Sequence, residues 1–200
     1  MSRWTVVPLA LALSGAASCG EATPDPDNPL LQLTAAAEQM QKAAEGFTER
    51  KPVTPVAFRE LIEYLPRKVG GLERREPTGE TTTAGSWRYS QAEVDFASED
   101  GSRSVGVGIF DYAHIPFLYV PFNMFLNMKV GTESTEGYER STEIEGFPGF
   151  EKWKRDGRSE ALVLLGERFI VKVEARGMGE RGARKVLEDM DLEGLAKKGS

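Results

Sequence analysis

The sequence predicts an α+β domain: an antiparallel sheet of about six strands with helices packed on one face, preceded by an N-terminal helix. Three observations predict it. Apolar and polar residues alternate with a period of two from Ala92 to Phe110 and again over the last third of the chain. Gly-containing turn signals punctuate those runs, and helical apolar spacings occur before and after them. Composition agrees, since 40% of the 200 residues are hydrophobic and ten Phe, five Tyr and three Trp are available to fill a core.

The elements follow in chain order. Met1-Ser2-Arg3-Trp4, an apolar run from Val6 to Leu13 and the small residues Ser14 to Ser18 read as a secretory signal over residues 1–18. The run is shorter than the roughly 20 apolar residues a membrane span needs. Gly15-Ala16-Ala17-Ser18-Cys19 resembles the lipobox of bacterial lipoproteins, which implies that Cys19 becomes the acylated first residue of the mature chain. An ordinary exported protein with a spare thiol is the alternative. Gly20 after the cysteine resembles lipoproteins sent to the outer of two membranes. Several acyl chains, at about 0.8 kcal/mol per buried methylene, make a stable anchor. Residues 19–28 then form a lipidated tether, polar and carrying Pro24 and Pro26, with a reach of roughly 28 Å at about 3.1 Å per residue.

Asn28-Pro29 is an N-cap followed by proline at the first helical position, and Leu30, Leu33, Ala37, Met40, Ala44 and Phe47 recur at helical spacing. These residues predict an amphipathic helix over 29–47, lying on its own domain or pairing with another chain. A single α+β domain over 53–197 follows. Thr54 as N-cap and Pro55 open a second helix, with Phe58, Leu61, Ile62 and Leu65 on one face and Pro66 as its stop. Val69 to Gly85 reads as a loop with room for a short edge strand. Ala92-Val94-Phe96 and Val105-Val107-Ile109 are two strands joined at Asp100-Gly101. Segment 115–128 is the greasiest of the mature chain, and Pro116 and Pro121 make it a bent or broken helix. Strands over 138–145, 150–155, 161–165 and 168–175 form a meander, with turns at Gly146–Gly149, Asp156-Gly157 and Gly166-Glu167. Ala183, Val186, Leu187 and Met190 mark a closing helix, and a tail begins near Asp191.

The order of these elements, with Leu61 to Pro66, the Gly146 to Lys152 turn and the Gly166 to Val171 hairpin, resembles a group of uncharacterised bacterial envelope lipoproteins. The arrangement also resembles the PsbP-like sandwich of an extrinsic photosystem II subunit. That resemblance covers residues 54–195 and implies a non-catalytic accessory or binding module.

Function classes narrow by exclusion. The net charge of −6, with no basic block, disfavours nucleic acid. One Cys excludes an intramolecular disulfide, and one Cys with one His, His114, excludes zinc sites built from several such ligands. No cofactor and no catalytic residue are expected. Gly177-Met178-Gly179-Glu180-Arg181-Gly182 matches the dinucleotide fingerprint, but no second strand and acidic residue follow it in the required places. Glu139 or Glu143 opposite Lys152 or Lys154 reads as a cross-strand ion pair. Lys152-Trp153-Lys154-Arg155 could alternatively touch anionic lipid or glycan. Ile115, Phe117, Phe122 and Phe125 are either core or an exposed apolar contact for lipid or an envelope partner.

The expectation is therefore a lipid-anchored cell-envelope protein acting as a non-catalytic binding or accessory module. Two alternatives are carried with it. One is a carrier of a small apolar ligand in a cavity beneath 115–128, and the other is a carboxylate-based hydrolase.

Overall fold

A computed structural model describes residues 53–84, 87–113, 126, 131–166 and 168–199. Within them the chain opens with a single α-helical turn, α1 (Phe58–Leu61), continued by a 3-10 turn (Ile62–Tyr64). The helix start expected at Thr54 is three residues early, and tertiary hydrogen bonds are the reason. The Thr54 carbonyl accepts from Arg168 Nη2 at 3.0 Å, and Val56 donates its N–H to Asp111 Oδ2 at 2.7 Å, so the segment before α1 is tied down outside the helix.

Nine strands follow among the described residues: β1 (Glu73–Arg74), β2 (Thr78–Ala84), β3 (Trp87–Ala97), β4 (Ser104–Asp111), β5 (Gly131–Ser134), β6 (Gly137–Ile144), β7 (Phe147–Lys154), β8 (Arg158–Leu165) and β9 (Phe169–Arg176). They form one antiparallel sheet in the order β1-β3-β4-β9-β8-β7-β6-β5, with β2 sharing the outer edge of β3 with β1. Two meanders, one early and one late in the chain, meet where β4 pairs with β9. Pairings such as Val107↔Val173 and Ile109↔Val171 make that seam apolar on one face. Two more helices close the chain, α2 (Gly182–Glu188) and α3 (Leu192–Lys198).

The period of two decides where the core sits. Ala92, Val94 and Phe96, Val105, Val107 and Ile109, Ala161 and Val163, and Val171 and Val173 all point to one face and are buried. Leu61 and Leu65 from the N-terminal turn, Ala183 and Leu187 from α2, and Leu192 and Leu195 from α3 pack into the same cluster.

This is a β-rich fold, not the helix-packed α+β sandwich of about six strands that the sequence predicts. The sheet has nine strands, and the described helices are short, of four to seven residues. The strands that sequence reading does not find are the polar ones. Thr78-Gly79-Glu80-Thr81-Thr82-Thr83 has no apolar alternation, and the four residues of β5 are all exposed. Such segments become strands because a neighbouring strand offers unpaired backbone groups.

Smaller differences have local causes. The turn expected at Gly146–Gly149 contracts to Glu145 (φ 51) and Gly146 (φ 79), the two left-handed residues of a two-residue hairpin turn. Strand β7 therefore begins at Phe147, before Pro148, which β7 tolerates because its pairing with β8 starts only at Gly149. The expected tail beyond Asp191 is helix α3. The Asp191 side chain accepts from the Gly194 N–H at 2.9 Å, and Leu192 and Leu195 are buried.

Candidate functional site

The second face of the sheet divides in two. At one end Leu162, Leu164 and Ile170 are buried together with Leu126, with Phe110, Tyr112 and Phe150 packed around them. The rings of Phe110 and Tyr112 stack with centroids 6.3 Å apart. A side chain at Gly108 would meet the Phe110 ring at 2.8 Å, so the space this glycine leaves is filled by its own strand's phenylalanine.

The other half is open and charged. It holds two adjoining hollows of about 600 and 460 Å³ that share Arg75, Asp95, Gly106 and Glu174. Gly106 on β4 is the bare floor, with Asp95 leaning toward it from β3. The walls are charged side chains of the outward alternation: Lys172, Glu174 and Arg176 of β9, Arg158 and Glu160 of β8, and Lys152 and Lys154 of β7.

Strand register places like charges opposite each other twice. Glu160 faces Glu174, and one step along the same ladder Arg158 faces Arg176. Direct like-charge pairs across strands are destabilising. The acidic pair is resolved internally, because Lys172 Nζ reaches Glu174 at 2.5 Å and Glu160 at 3.4 Å. Burial works against the charge on Lys172, yet its hydrogen bond to Glu174 and the field of both carboxylates hold its pKa above the ordinary lysine value. The basic pair is resolved only in part. Arg158 donates Nε to Asp156 at 2.8 Å in the β7–β8 turn, while Arg176 is exposed and has no ion pair among the described residues.

Two other charged clusters are structural. Asp111, fully buried, accepts from Arg168 Nε at 2.9 Å and Nη2 at 2.8 Å, and also from the N–H groups of Val56 and Ala113. This fork pins the segment before α1 and the end of β4 to the β8–β9 turn. Glu151, 3% exposed, receives Arg140 Nε at 2.6 Å and Arg184 Nη1 at 3.3 Å, and Arg184 also binds Glu188 of its own helix at 2.7 Å. That cluster ties β6 and β7 to α2. Protein donors occupy both buried carboxylates, which suits them to hold the fold and not a ligand.

Most of the residues that the sequence singles out are not among the described ones. Cys19, the segments 1–18, 19–28 and 29–47, His114, and the apolar candidates Ile115, Phe117, Phe122 and Phe125 lie outside the described residues. Leu126, from the same greasy segment, is buried against Leu162, Leu164 and Ile170. Glu139 faces Lys152 with 2.6 Å between Oε2 and Nζ, the cross-strand pair that alternation predicts, whereas Glu143 faces Pro148. Lys152 and Lys154 line the open hollow, and the Trp153 ring lies 6.2 Å from that of Tyr138. The glycine fingerprint at 177–182 is a tight turn. Gly177 (φ 69) passes so close to the backbone that a side chain would meet the Ser102 carbonyl at 2.5 Å, and helix α3, not a parallel strand, follows α2.

Arg75, Asp95, Arg158 and Arg176 are site residues that sequence reasoning does not find, whereas Gly106, with Gly108 on the strand face of Phe110, reads in the sequence as room beside the sheet for aromatic rings of segment 115–128. A signal for three of the four exists. Counting outward from the 165–169 hairpin pairs residue 160 with 174 and residue 158 with 176, so register arithmetic alone puts Arg158 beside Arg176. The same arithmetic from the β3–β4 hairpin puts Asp95 opposite Gly106, whereas Arg75 has no such signal, because β1 pairs through only two residues. Comparison of the chain with protein-family models, curated proteins and solved structures finds no match. Among the described residues no helix is long and apolar enough to cross a membrane.

Proposed function

We propose that the chain is a lipid-anchored protein of the bacterial cell envelope that works by binding, without catalysis, and that the groove over Gly106 is where it binds. The observation that carries the reading is the asymmetry of the sheet. One face is closed by α1, α2 and α3 over a continuous apolar core, while the other keeps an open hollow of about 600 Å³ walled by charged side chains and floored by Gly106. Binding sites are concave and set a few convergent polar groups around an accessible floor. The address rests on the sequence around Cys19, which supports acylation and, with Gly20 next to it, the outer of two membranes.

One experiment reads both halves of the proposal. A photoreactive residue placed at Ser104, beside the groove, is activated in intact envelopes, and the labelled component is compared in wild-type, Gly106→Leu and Cys19→Ala chains. The expected result is a discrete cross-link that Gly106→Leu abolishes with the fold retained, because the leucine fills the floor of a strand that tolerates it. Cys19→Ala should move the protein from the membrane to the soluble fraction. Identical cross-links in Gly106→Leu would remove the groove from the account, and unchanged membrane association of Cys19→Ala would remove the anchor.

A further inference from the structure

We propose that the basic end of this groove binds the phosphate of a small phosphate monoester whose remaining part is neutral or cationic; the inference rests on the groove being the binding site. Charges in the groove pair off unevenly. Within the larger hollow, Lys152 is neutralised by Glu139, Arg158 by Asp156, and Glu160 and Glu174 share Lys172. What remains without ion pairs among the described residues is Arg75, Lys154 and Arg176 against Asp95, and because one lysine serves both Glu160 and Glu174 the hollow carries a surplus of one positive charge. The surplus is concentrated where Arg176 stands directly opposite Arg158, an arrangement the sheet resolves internally one step away, at Glu160 and Glu174, but leaves open here. An external dianion supplies the missing partner. A phosphate monoester carries a charge of about −1.5 to −2 at neutral pH, and guanidinium groups match its oxygens through paired N–H donors.

The far end of the groove sets the rest of the ligand. The adjoining hollow carries Glu76, Glu93 and Asp95, none of them in an ion pair among the described residues. A polyanion running along the floor past Gly106 toward Gly108 would meet these carboxylates, so a nucleic acid or an acidic polysaccharide is disfavoured. A compact ester with a hydroxyl or ammonium group beyond its phosphate is accommodated at both ends.

Calorimetric titration of the full-length chain in detergent micelles with phosphoethanolamine tests this, alongside ethanolamine and a phosphodiester of similar size. Binding to vesicles with and without phosphatidate tests whether the phosphate is presented by a lipid. Saturable binding of phosphoethanolamine, about tenfold weaker for Arg176→Gln and partly restored by Arg176→Lys, supports the proposal with a soluble source. Binding only to phosphatidate vesicles, equally dependent on Arg176, supports it with a lipid source. Absence of both, equal affinity for ethanolamine or the diester, or an affinity unaltered in Arg176→Gln overturns it. If the phosphate titrations fail while Gly106→Leu still abolishes the envelope cross-link, the ligand chemistry is wrong and the groove stands. If both fail, the groove itself is wrong.

Discussion

The two ends of strand β9 each carry an arginine, and the two are treated in opposite ways. Arg168, just before the strand, is 6% exposed, with both arms of its fork on Asp111, a third bond to the Thr54 carbonyl, and its guanidinium 5.0 Å from the Phe169 ring centroid. Arg176, at the other end, is exposed, stands opposite a second arginine, and has no ion pair among the described residues. Burial compels the first to be fully satisfied, because an unpaired charge away from water is costly. Nothing compels the second except its like-charged neighbour. A charge whose partners are all internal holds the fold, and one that repels its neighbour is available to something outside.

Two substitutions and one titration sharpen that contrast. The largest effect belongs to Asp111→Ala, which strands a buried guanidinium and frees the segment before α1. Chemical denaturation should show a loss of about 3–5 kcal/mol, and a loss below about 1 kcal/mol would mean that the fork is dispensable. Next, Arg176→Gln should leave stability unchanged or raise it by about 0.2–1 kcal/mol, since it removes a cross-strand repulsion. A clear destabilisation in the same assay would assign Arg176 a structural role and erase the contrast. The smallest effect is in the β3–β4 hairpin. Hydrogen bonds from the Ser98 hydroxyl and the Ser102 N–H and hydroxyl lower the Asp100 pKa from 3.8 to about 2. A carboxyl whose pKa is depressed by folding stabilises the native state above its unfolded pKa, and that contribution is lost as pH falls through the folded value. The hairpin should therefore loosen between about pH 4 and pH 2, seen as faster amide exchange at Ser102 and Arg103, and Asp100→Asn should flatten that dependence.

What can be read in the sequence follows the same division between buried and exposed. Strands β3, β4 and β6 to β9 are legible because they alternate, most clearly where apolar residues stand at every second position against the core, as Val105, Val107 and Ile109 do. Strands β1, β2 and β5 are not, since Thr78 to Thr83 and Gly131 to Ser134 owe their conformation to a neighbouring edge and carry no pattern of their own. Sequence reading overestimates the first helix for a related reason. Thr54-Pro55 is a sound start signal, but Asp111 and Arg168, more than fifty residues away in sequence, claim the backbone groups that the first turn would have used. Helix α3 is legible and goes unread: Asp191 as cap, Leu192 and Leu195 on one face, and Lys197 and Lys198 before Gly199 are ordinary boundary signals. Of the groove, the sequence singles out Lys152, Lys154 and the space at Gly106. The groove joins residues 75, 95, 106, 158 and 176, and their proximity depends on β4 pairing with β9, a long-range contact that no local pattern encodes.

The most direct test of the groove as a phosphate site is thermal unfolding with and without phosphoethanolamine, measured on wild-type, Asp111→Ala and Arg176→Gln chains. A ligand that binds only the folded state raises the melting temperature by mass action. The melting temperature should rise for wild-type and for the less stable Asp111→Ala chain, and little or not at all for Arg176→Gln. An equal shift in Arg176→Gln would contradict the phosphate site, as would the absence of a wild-type shift together with no binding to phosphatidate vesicles.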